Sequence, residues 1–472
     1  MIPAAEGVFR GVAQLGLPLL ARPDLVELRT VAAPSRIPAR PPTDGEQYRF
    51  HFDMTKCIGC KCCEVACNEQ NNNPADIRWR RVGEIEADEY PFTKRFHLST
   101  GCNHCLEPAC LLGCPVEAYT KDALTGIVLH STDMCIGCQY CTWNCPYGVP
   151  QFNEERGVVG KCDLCHGRLS EGREPACVGA CPQGAIQVEL VNIAEWRATA
   201  ALEANAPGMP GAEATLSTTR VTLPPDRGLD FRKADYHRVR PEPAHWPLVF
   251  FLVLTQASVG ALITGAPTLA AVALAHIAMA ASLLHLGRPA YAWRALKMWK
   301  RSWLSREVLA FSAYAALVTP SLLIPQLRPL AVYAGCIGIL CSARIYMVPA
   351  RPAWNTWRTM AEFFLTALVL GGNSRVAIGA AIAQAILQIA KLLAMRRSAE
   401  FELRQSARLL GHDFRGLFAL RIAALLIACW LPAPARIAVA LASEIAGRYL
   451  FFVTVVPRNV AATFFGTARE AA

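Results

Sequence analysis

Sixteen cysteines set in four groups of four constrain this 472-residue chain more than any other feature. The first group reads Cys57-x2-Cys60-x2-Cys63-x3-Cys67, and the third reads Cys135-x2-Cys138-x2-Cys141-x3-Cys145 with Pro146 following. The second, Cys102-x2-Cys105-x4-Cys110-x3-Cys114, and the fourth, Cys162-x2-Cys165-x11-Cys177-x3-Cys181, lengthen the loop before the third cysteine and also end in proline, Pro115 and Pro182. In such a run three closely spaced thiolates wrap one cubane and the fourth, set apart, reaches the other cluster of a pair. The four groups therefore predict sixteen ligands and four 4Fe-4S clusters.

Two other uses of cysteine compete. Disulfide frameworks belong to small secreted chains. The first twenty residues here carry Glu6 and a single Arg10 without a basic run before an apolar core, so export on a signal of the chain's own is not expected. Zinc sites also use CxxC pairs, but a tetrahedral site has no use for a third thiolate three residues further on. Cys62 breaks the spacing of the first group and reads as a bystander, and Cys336, Cys341 and Cys429 read as small core residues.

The rest of the chain has a different character. Seventeen of the 20 cysteines lie between Cys57 and Cys181, whereas long apolar runs begin only at Trp246. The expected organisation is an N-terminal extension over 1–45, a cluster-binding domain over 46–192, a linker over 193–245 and a membrane domain over 246–460. The apolar runs lie at about 246–265, 268–286, 308–325, 329–348, 357–374, 376–395, 417–431 and 437–456, several of them near the roughly 20 residues that cross a bilayer. The fold class expected is an α+β polyferredoxin head, two bis-4Fe-4S ferredoxin-like modules, followed by an all-α bundle of eight transmembrane helices.

The formal charge of +10 does not point to nucleic acid, because no recognition motif accompanies the basic residues. They cluster between the apolar runs instead. With eight spans, thirteen Lys and Arg residues fall in loops on the head side and three, Arg328, Arg375 and Arg436, in loops on the other. The positive-inside rule then places the head on the cytoplasmic side of an inner membrane. Nothing in the head offers a substrate pocket, a nucleophile or a phosphate-binding glycine loop. The chain reads as an electron-transfer subunit without catalysis of its own.

The stretches FDMTKCIGCKCCEVACNEQNN, CNHCLEPACLLGCPVEAYTKD, CIGCQYCTWNCPYGVPQF and GKCDLCHGRL resemble the iron-sulfur subunit of the dimethyl sulfoxide reductase family of molybdenum oxidoreductases. The motifs HLGRPAYAWRAL, SWLSREV, ARIYMVPARPAW and EIAGRYLFF resemble the separate membrane-anchor subunit of the same complexes. The resemblance implies a fusion of two subunits. It also implies crosswise ligation: Cys57, Cys60 and Cys63 take Cys181, and Cys162, Cys165 and Cys177 take Cys67. Likewise Cys102, Cys105 and Cys110 take Cys145, and Cys135, Cys138 and Cys141 take Cys114. The cluster of the first group would lie nearest a bis-molybdopterin guanine dinucleotide catalytic subunit, and that of the third nearest the membrane.

The family's anchor binds a quinone, ubiquinone or menaquinone, and normally no haem. His285 of HLGRP and Glu307 of SREV match positions linked to quinol oxidation, with Arg306 and Arg344 as further candidates at the cavity. Snorkelling or capping is the alternative for such boundary residues, and the functional reading is favoured for His285 and Glu307. Haem is not expected, since paired intramembrane histidines are missing from the sequence: His276 and His285 belong to one span, and His245 and His412 fall outside the spans. Arg344, Glu444 and Arg448 are intramembrane charges expected to pair or to line the cavity, and no relay of acidic residues suggests an ion pump. A cytoplasmic head departs from the exported arrangement usual for dimethyl sulfoxide reductase and resembles the sulfite:quinone oxidoreductases, whose anchors belong to the same family, which implies sulfite oxidation feeding the quinone pool. The alternative is an anchor and docking platform for a dimethyl sulfoxide, formate or thiosulfate/polysulfide enzyme.

Overall fold

The structure is a computed structural model that describes residues 35–87, 95–203, 206, 209–225, 231–233, 239–371 and 374–458. Most of the expected extension, parts of the expected linker and residues 459–460 of the expected membrane domain lie outside the described residues.

The head is built from short elements punctuated by the cysteine loops. They are β1 (Glu46–Asp53), α1 (Cys62–Asn71), β2 (Arg81–Ala87), β3 (Arg95–Thr100), α2 (Ala109–Gly113), β4 (Tyr119–Lys121), β5 (Val128–His130), α3 (Tyr140–Asn144), β6 (Gln151–Asn153), β7 (Val158–Gly160), α4 (His166–Ser170), α5 (Ala176–Gly179), β8 (Ile186–Asn192), α6 (Ile193–Glu203), β9 (Arg220–Thr222) and β10 (Phe231–Lys233). Strand β1 is central to a sheet of order β8-β1-β9, antiparallel to β8 and parallel to β9. Alternation along β1 explains its place: Tyr48, Phe50 and Phe52 enter the core, while Arg49 lies opposite Glu189 and pairs with it at 2.9 Å on the other face. The register joins the residues before the first cysteine group to those after the fourth, Phe52 opposite Ile186. The two ends of the cysteine series are thereby brought side by side.

The second region is helical: α7 (Trp246–Ile263), α8 (Thr268–Leu283), α9 (Trp303–Val318), α10 (Arg328–Tyr346), α11 (Trp357–Val369), α12 (Ser374–Arg396), α13 (Phe401–Arg408), α14 (Arg415–Ala428) and α15 (Ala433–Val453). A helix lies at each of the eight apolar runs. Among the described residues, three stretches, Trp246–Ile263, Pro325–Tyr346 and Arg375–Arg396, are long and apolar enough to cross a membrane, and Thr268–Leu283 is apolar but shorter. Small residues set the packing where lipid offers no hydrophobic drive. Ala271, Ala275 and Ala278 form a buried stripe on α8, and Ser258 of α7 donates to Ala271 O at 2.6 Å.

From Arg36 onward the chain forms one compact unit, and the segment between α8 and α9 fastens head to helices. Gly287 N donates to Gly137 O at 3.4 Å and Arg288 N to Ile136 O at 3.1 Å. Arg288 Nη1 and Arg294 Nη1 reach the carbonyls of Thr132 and Asp133 at 2.9 and 2.8 Å. The Ser302 hydroxyl donates to Gly113 O at 2.7 Å instead of capping α9. Two of the arginines counted toward topology thus serve docking as well.

Gly287 is where the backbones meet. A Cβ there would stand 2.2 Å from Gly157 O, a backbone atom that cannot swing aside. Gly287→Ala is expected to cost about 1–3 kcal/mol by overpacking. Thermal unfolding of the purified protein should show it, with the iron content of the head unchanged.

Candidate iron-sulfur sites and the membrane cavity

All twenty cysteines are free thiols, and the structure gathers sixteen of them into four sets. Cys57, Cys60, Cys63 and Cys181 line one cavity, walled by Phe52, Val82 and Ile186. Cys102, Cys105, Cys110 and Cys145 line a second, with Lys161 and Thr215. Cys162, Cys165 and Cys177 face Cys67, and Cys135, Cys138 and Cys141 face Cys114. Cys62 is exposed and lines neither cavity; Cys341 is buried in α10, and Cys336 and Cys429 are half-buried in α10 and at the end of α14.

The local backbone is shaped to deliver these thiols. Lys61, Gln139 and Cys165, at the turn where each short helix begins, take left-handed φ of 60°, 58° and 48°, and Gly59 and Gly137 in the CxGC turns take 70° and 69°. Such turns point N–H groups inward. Gly137 N and Leu164 N each lie 3.4 Å from the sulfurs of Cys135 and Cys162. Ala118 N and Ala185 N reach the fourth cysteines, Cys114 and Cys181, at 3.4 and 3.3 Å. The Thr215 hydroxyl donates to Cys105 Sγ at 3.1 Å.

The donor chemistry fits a cluster and not a single ion. Among the described residues, no three Cys, His, Asp or Glu side chains converge closely enough for one metal ion, as zinc with sulfur at about 2.3 Å would require. The thiols instead surround spaces between them. Burial pushes the Cys63 thiol up to about 11 and those of Cys67 and Cys105 up to about 12. As bare groups they stay protonated, so thiolate ligation needs the positive charge that iron supplies.

A larger cavity of about 420 Å³ lies where the third cysteine group meets the helices, within the size range of small-molecule sites. Its walls include Ile136, Cys138, Tyr140 and Trp143 from the head, Leu248 and Phe251 from α7, Met279 from α8 and His285 just beyond it, Glu307 and Phe311 from α9, and Tyr346 from α10. His285 Nε2 sits 3.1 Å from Cys138 O. That contact makes Nε2 the donor and leaves Nδ1 as the acceptor of the neutral ring. Glu307 is buried and accepts a hydrogen bond from the Ser342 hydroxyl.

Of the four residues expected at a quinone, the structure brings His285 and Glu307 together. Arg306 and Arg344 are not in the wall: their guanidinium carbons lie 4.4 and 5.1 Å from the Trp303 ring. Trp143, two residues after Cys141, stacks on His285 at 6.2 Å and meets His245 edge-on at 5.3 Å. His245, set aside in the sequence as lying outside the spans, is therefore part of this junction, and burial pushes its pKa down to about 3. An aromatic residue inside a cysteine motif was the one local hint.

A second polar feature was only half read from the sequence, which singled out Glu444 and Arg448 but not Glu362, Lys391 or Arg421. Glu362 of α11 is approached by Lys391 of α12 at 3.5 Å and Arg421 of α14 at 3.8 Å, and Arg421 lies 3.6 Å from Glu444 of α15. Arg448 donates to Gln256 Oε1 at 3.0 Å. Arg448 also donates to the Thr366 hydroxyl at 3.4 Å, which itself donates to Glu444 at 2.7 Å, so Glu444 and Arg448 share one buried network, whereas Arg344 is exposed beside Trp303. Lone charges inside the fifth, sixth and seventh apolar runs were the available signal.

Two family models match this architecture: a 4Fe-4S dicluster domain over residues 93–190 and the DMSO reductase anchor subunit (DmsC) over 266–409. The B subunit of the anaerobic dimethyl sulfoxide reductase of Haemophilus influenzae is 35% identical over 179 residues, 36% of this chain and 86% of the relative. The present chain is a member of the dimethyl sulfoxide reductase family. The B subunit of the Escherichia coli enzyme is 40% identical over 148 residues, 30% of this chain and 72% of its own length. The iron-sulfur subunit of the nitrate-inducible formate dehydrogenase of E. coli is 36% identical over 181 residues, 33% of this chain and 62% of the relative. The iron-sulfur similarity and the anchor similarity fall on one polypeptide, a fused iron-sulfur and anchor subunit of this family, whose role is electron transfer at a membrane.

Proposed function

We propose that the chain passes electrons between a membrane quinone, ubiquinone or menaquinone, and a molybdenum catalytic subunit that carries bis-molybdopterin guanine dinucleotide, using four 4Fe-4S clusters. The observation that supports this most directly is the shared wall of the membrane cavity: Cys138, of the third cysteine set, lines the same space as His285 and Glu307. When bound, the clusters supply one-electron carriers along the head. Cys57, Cys60, Cys63 and Cys181 hold the first; Cys102, Cys105, Cys110 and Cys145 the second; Cys135, Cys138, Cys141 and Cys114 the third; Cys162, Cys165, Cys177 and Cys67 the fourth.

At the other end the chain's residues handle protons. His285 Nδ1 accepts a proton from a quinol hydroxyl or returns one, while its Nε2 stays tied to Cys138 O. Glu307 does the same from α9. Phe251, Phe311 and Met279 exclude water around the ring. Eight spans, with the head and the basic loops on the cytoplasmic side of an inner membrane, complete the reading, and that side favours sulfite as the partner's substrate. A formate enzyme is the second reading, favoured by the similarity to the formate dehydrogenase iron-sulfur subunit.

The test is purification with the bound partner, followed by metal analysis and turnover with sulfite, dimethyl sulfoxide and formate. About sixteen iron atoms per chain follow from four cubanes, with molybdenum in the partner. Zinc without iron would overturn the reading, and turnover with formate alone would decide for the second.

A further inference from the structure

We infer that Arg80 is a fixed positive charge shared by two of the cluster sites, and that it raises the reduction potentials of both. This rests on the ligand sets proposed above.

Arg80 lies just before β2 and is 2% exposed. Its guanidinium carbon stands 4.4 Å from the Phe50 ring centroid. Nη1 donates to Ser99 Oγ at 3.1 Å, and that oxygen lies 3.6 Å from Cys63 Sγ. The thiols facing the guanidinium come from both sets: Cys63 from the first, and Cys67, Cys162 and Cys177 from the fourth. A Cβ at Gly101 would come within 3.0 Å of Nη2, so the glycine before Cys102 leaves the space that the guanidinium uses.

Nε and Nη2 are buried and have no hydrogen-bond partner among the described residues. A buried cation without such partners is costly unless an opposite charge faces it. Arginine cannot relieve that cost by losing its proton. A cubane held by four thiolates supplies the missing counter-charge, since it is anionic and becomes more so when it accepts an electron. The attraction grows in the reduced state, so reduction becomes easier. The step is the addition of one electron to the cluster; Arg80 donates no proton and breaks no bond. No element of the cysteine motifs signals this role, because Arg80 is brought to the clusters by the β2–β3 hairpin.

The experiment is an EPR-monitored redox titration of the purified complex with its partner, comparing the wild type with Arg80→Gln, Arg80→Met and Arg80→Lys, with iron assayed in each. In R80Q and R80M the potentials of the first-set and fourth-set clusters should fall by at least the equivalent of a tenfold change in the reduced fraction, 59 mV for a one-electron couple. R80K should stay within that limit, and the cluster of Cys135, Cys138, Cys141 and Cys114 should not move in any variant. Loss of these two clusters in R80Q and R80M with retention in R80K also supports a charge role. Equal potentials in all proteins at full iron content, or loss of clusters in all three variants, overturns the inference. Absence of iron from the wild type would instead overturn the cluster reading on which it rests.

Discussion

Cys181→Ser is expected to remove the iron of the first cysteine motif and leave that of the fourth, the motif to which Cys181 belongs by sequence. Cys181 stands in the wall of the cavity formed by Cys57, Cys60 and Cys63, while the remaining thiols of its own motif face Cys67. Iron should fall by about four atoms per chain, one cubane, and the EPR signal lost should be the one lost in Cys60→Ser. Quinone-linked turnover should drop to background, because the missing cluster is the one that the family resemblance puts nearest the proposed catalytic subunit. If Cys181→Ser instead removed the signal lost in Cys165→Ser, ligation would follow the motifs and the crosswise assignment would be wrong.

Replacing His285 by Ala or Glu307 by Gln should lower quinone-linked turnover by about a hundredfold or more, the usual contribution of a positioned acid or base. The effect belongs to the quinone end alone. His285 is not one of the sixteen thiols and meets the third set at the Cys138 carbonyl, so the full iron content should remain. Reduction of the catalytic subunit by a soluble dye that bypasses the membrane should continue at the wild-type rate. Trp143 tests the same junction more gently: Trp143→Phe keeps an aromatic wall and should retain most of the turnover. Unchanged quinone-linked rates in both H285A and E307Q would remove these residues from the site.

Much of the helical region was legible, because an apolar run in a chain of this kind has little choice but to become a helix. A helix falls on each of the eight runs, with α13 between the sixth and the seventh, and the differences have local causes. The third run was expected from 308, but α9 begins at Trp303, since Arg306 and Glu307 in its first two turns made the opening look polar. Glu307 is nevertheless buried, with Ser342 of α10 as its partner. Which runs span a membrane is a separate matter: among the described residues, length and composition single out three stretches.

The site was legible in pieces. The HLGRP and SREV motifs pointed to His285 and Glu307, yet nothing local linked them to Cys138, Tyr140 or Trp143, which lie more than a hundred residues earlier in the sequence. Gly287 of HLGRP carried no reading in the sequence, and in the structure it is the point where the loop presses against Gly157 and Gly137. Arg288 and Arg294 read as topology signals and prove to be bonded to head carbonyls as well.

The sixteen thiols, their grouping and the division into a cysteine-rich head and an apolar tail were determined by the sequence itself, because ligand spacing and hydrophobic run length are properties of neighbouring residues. The tertiary structure decided which fourth thiol faces each trio, that Arg80 faces thiols of two sets, and which charges meet inside the helices. Those are relations between residues far apart in sequence. They exist only once β1 has paired with β8 and the loop after α8 has docked on the head.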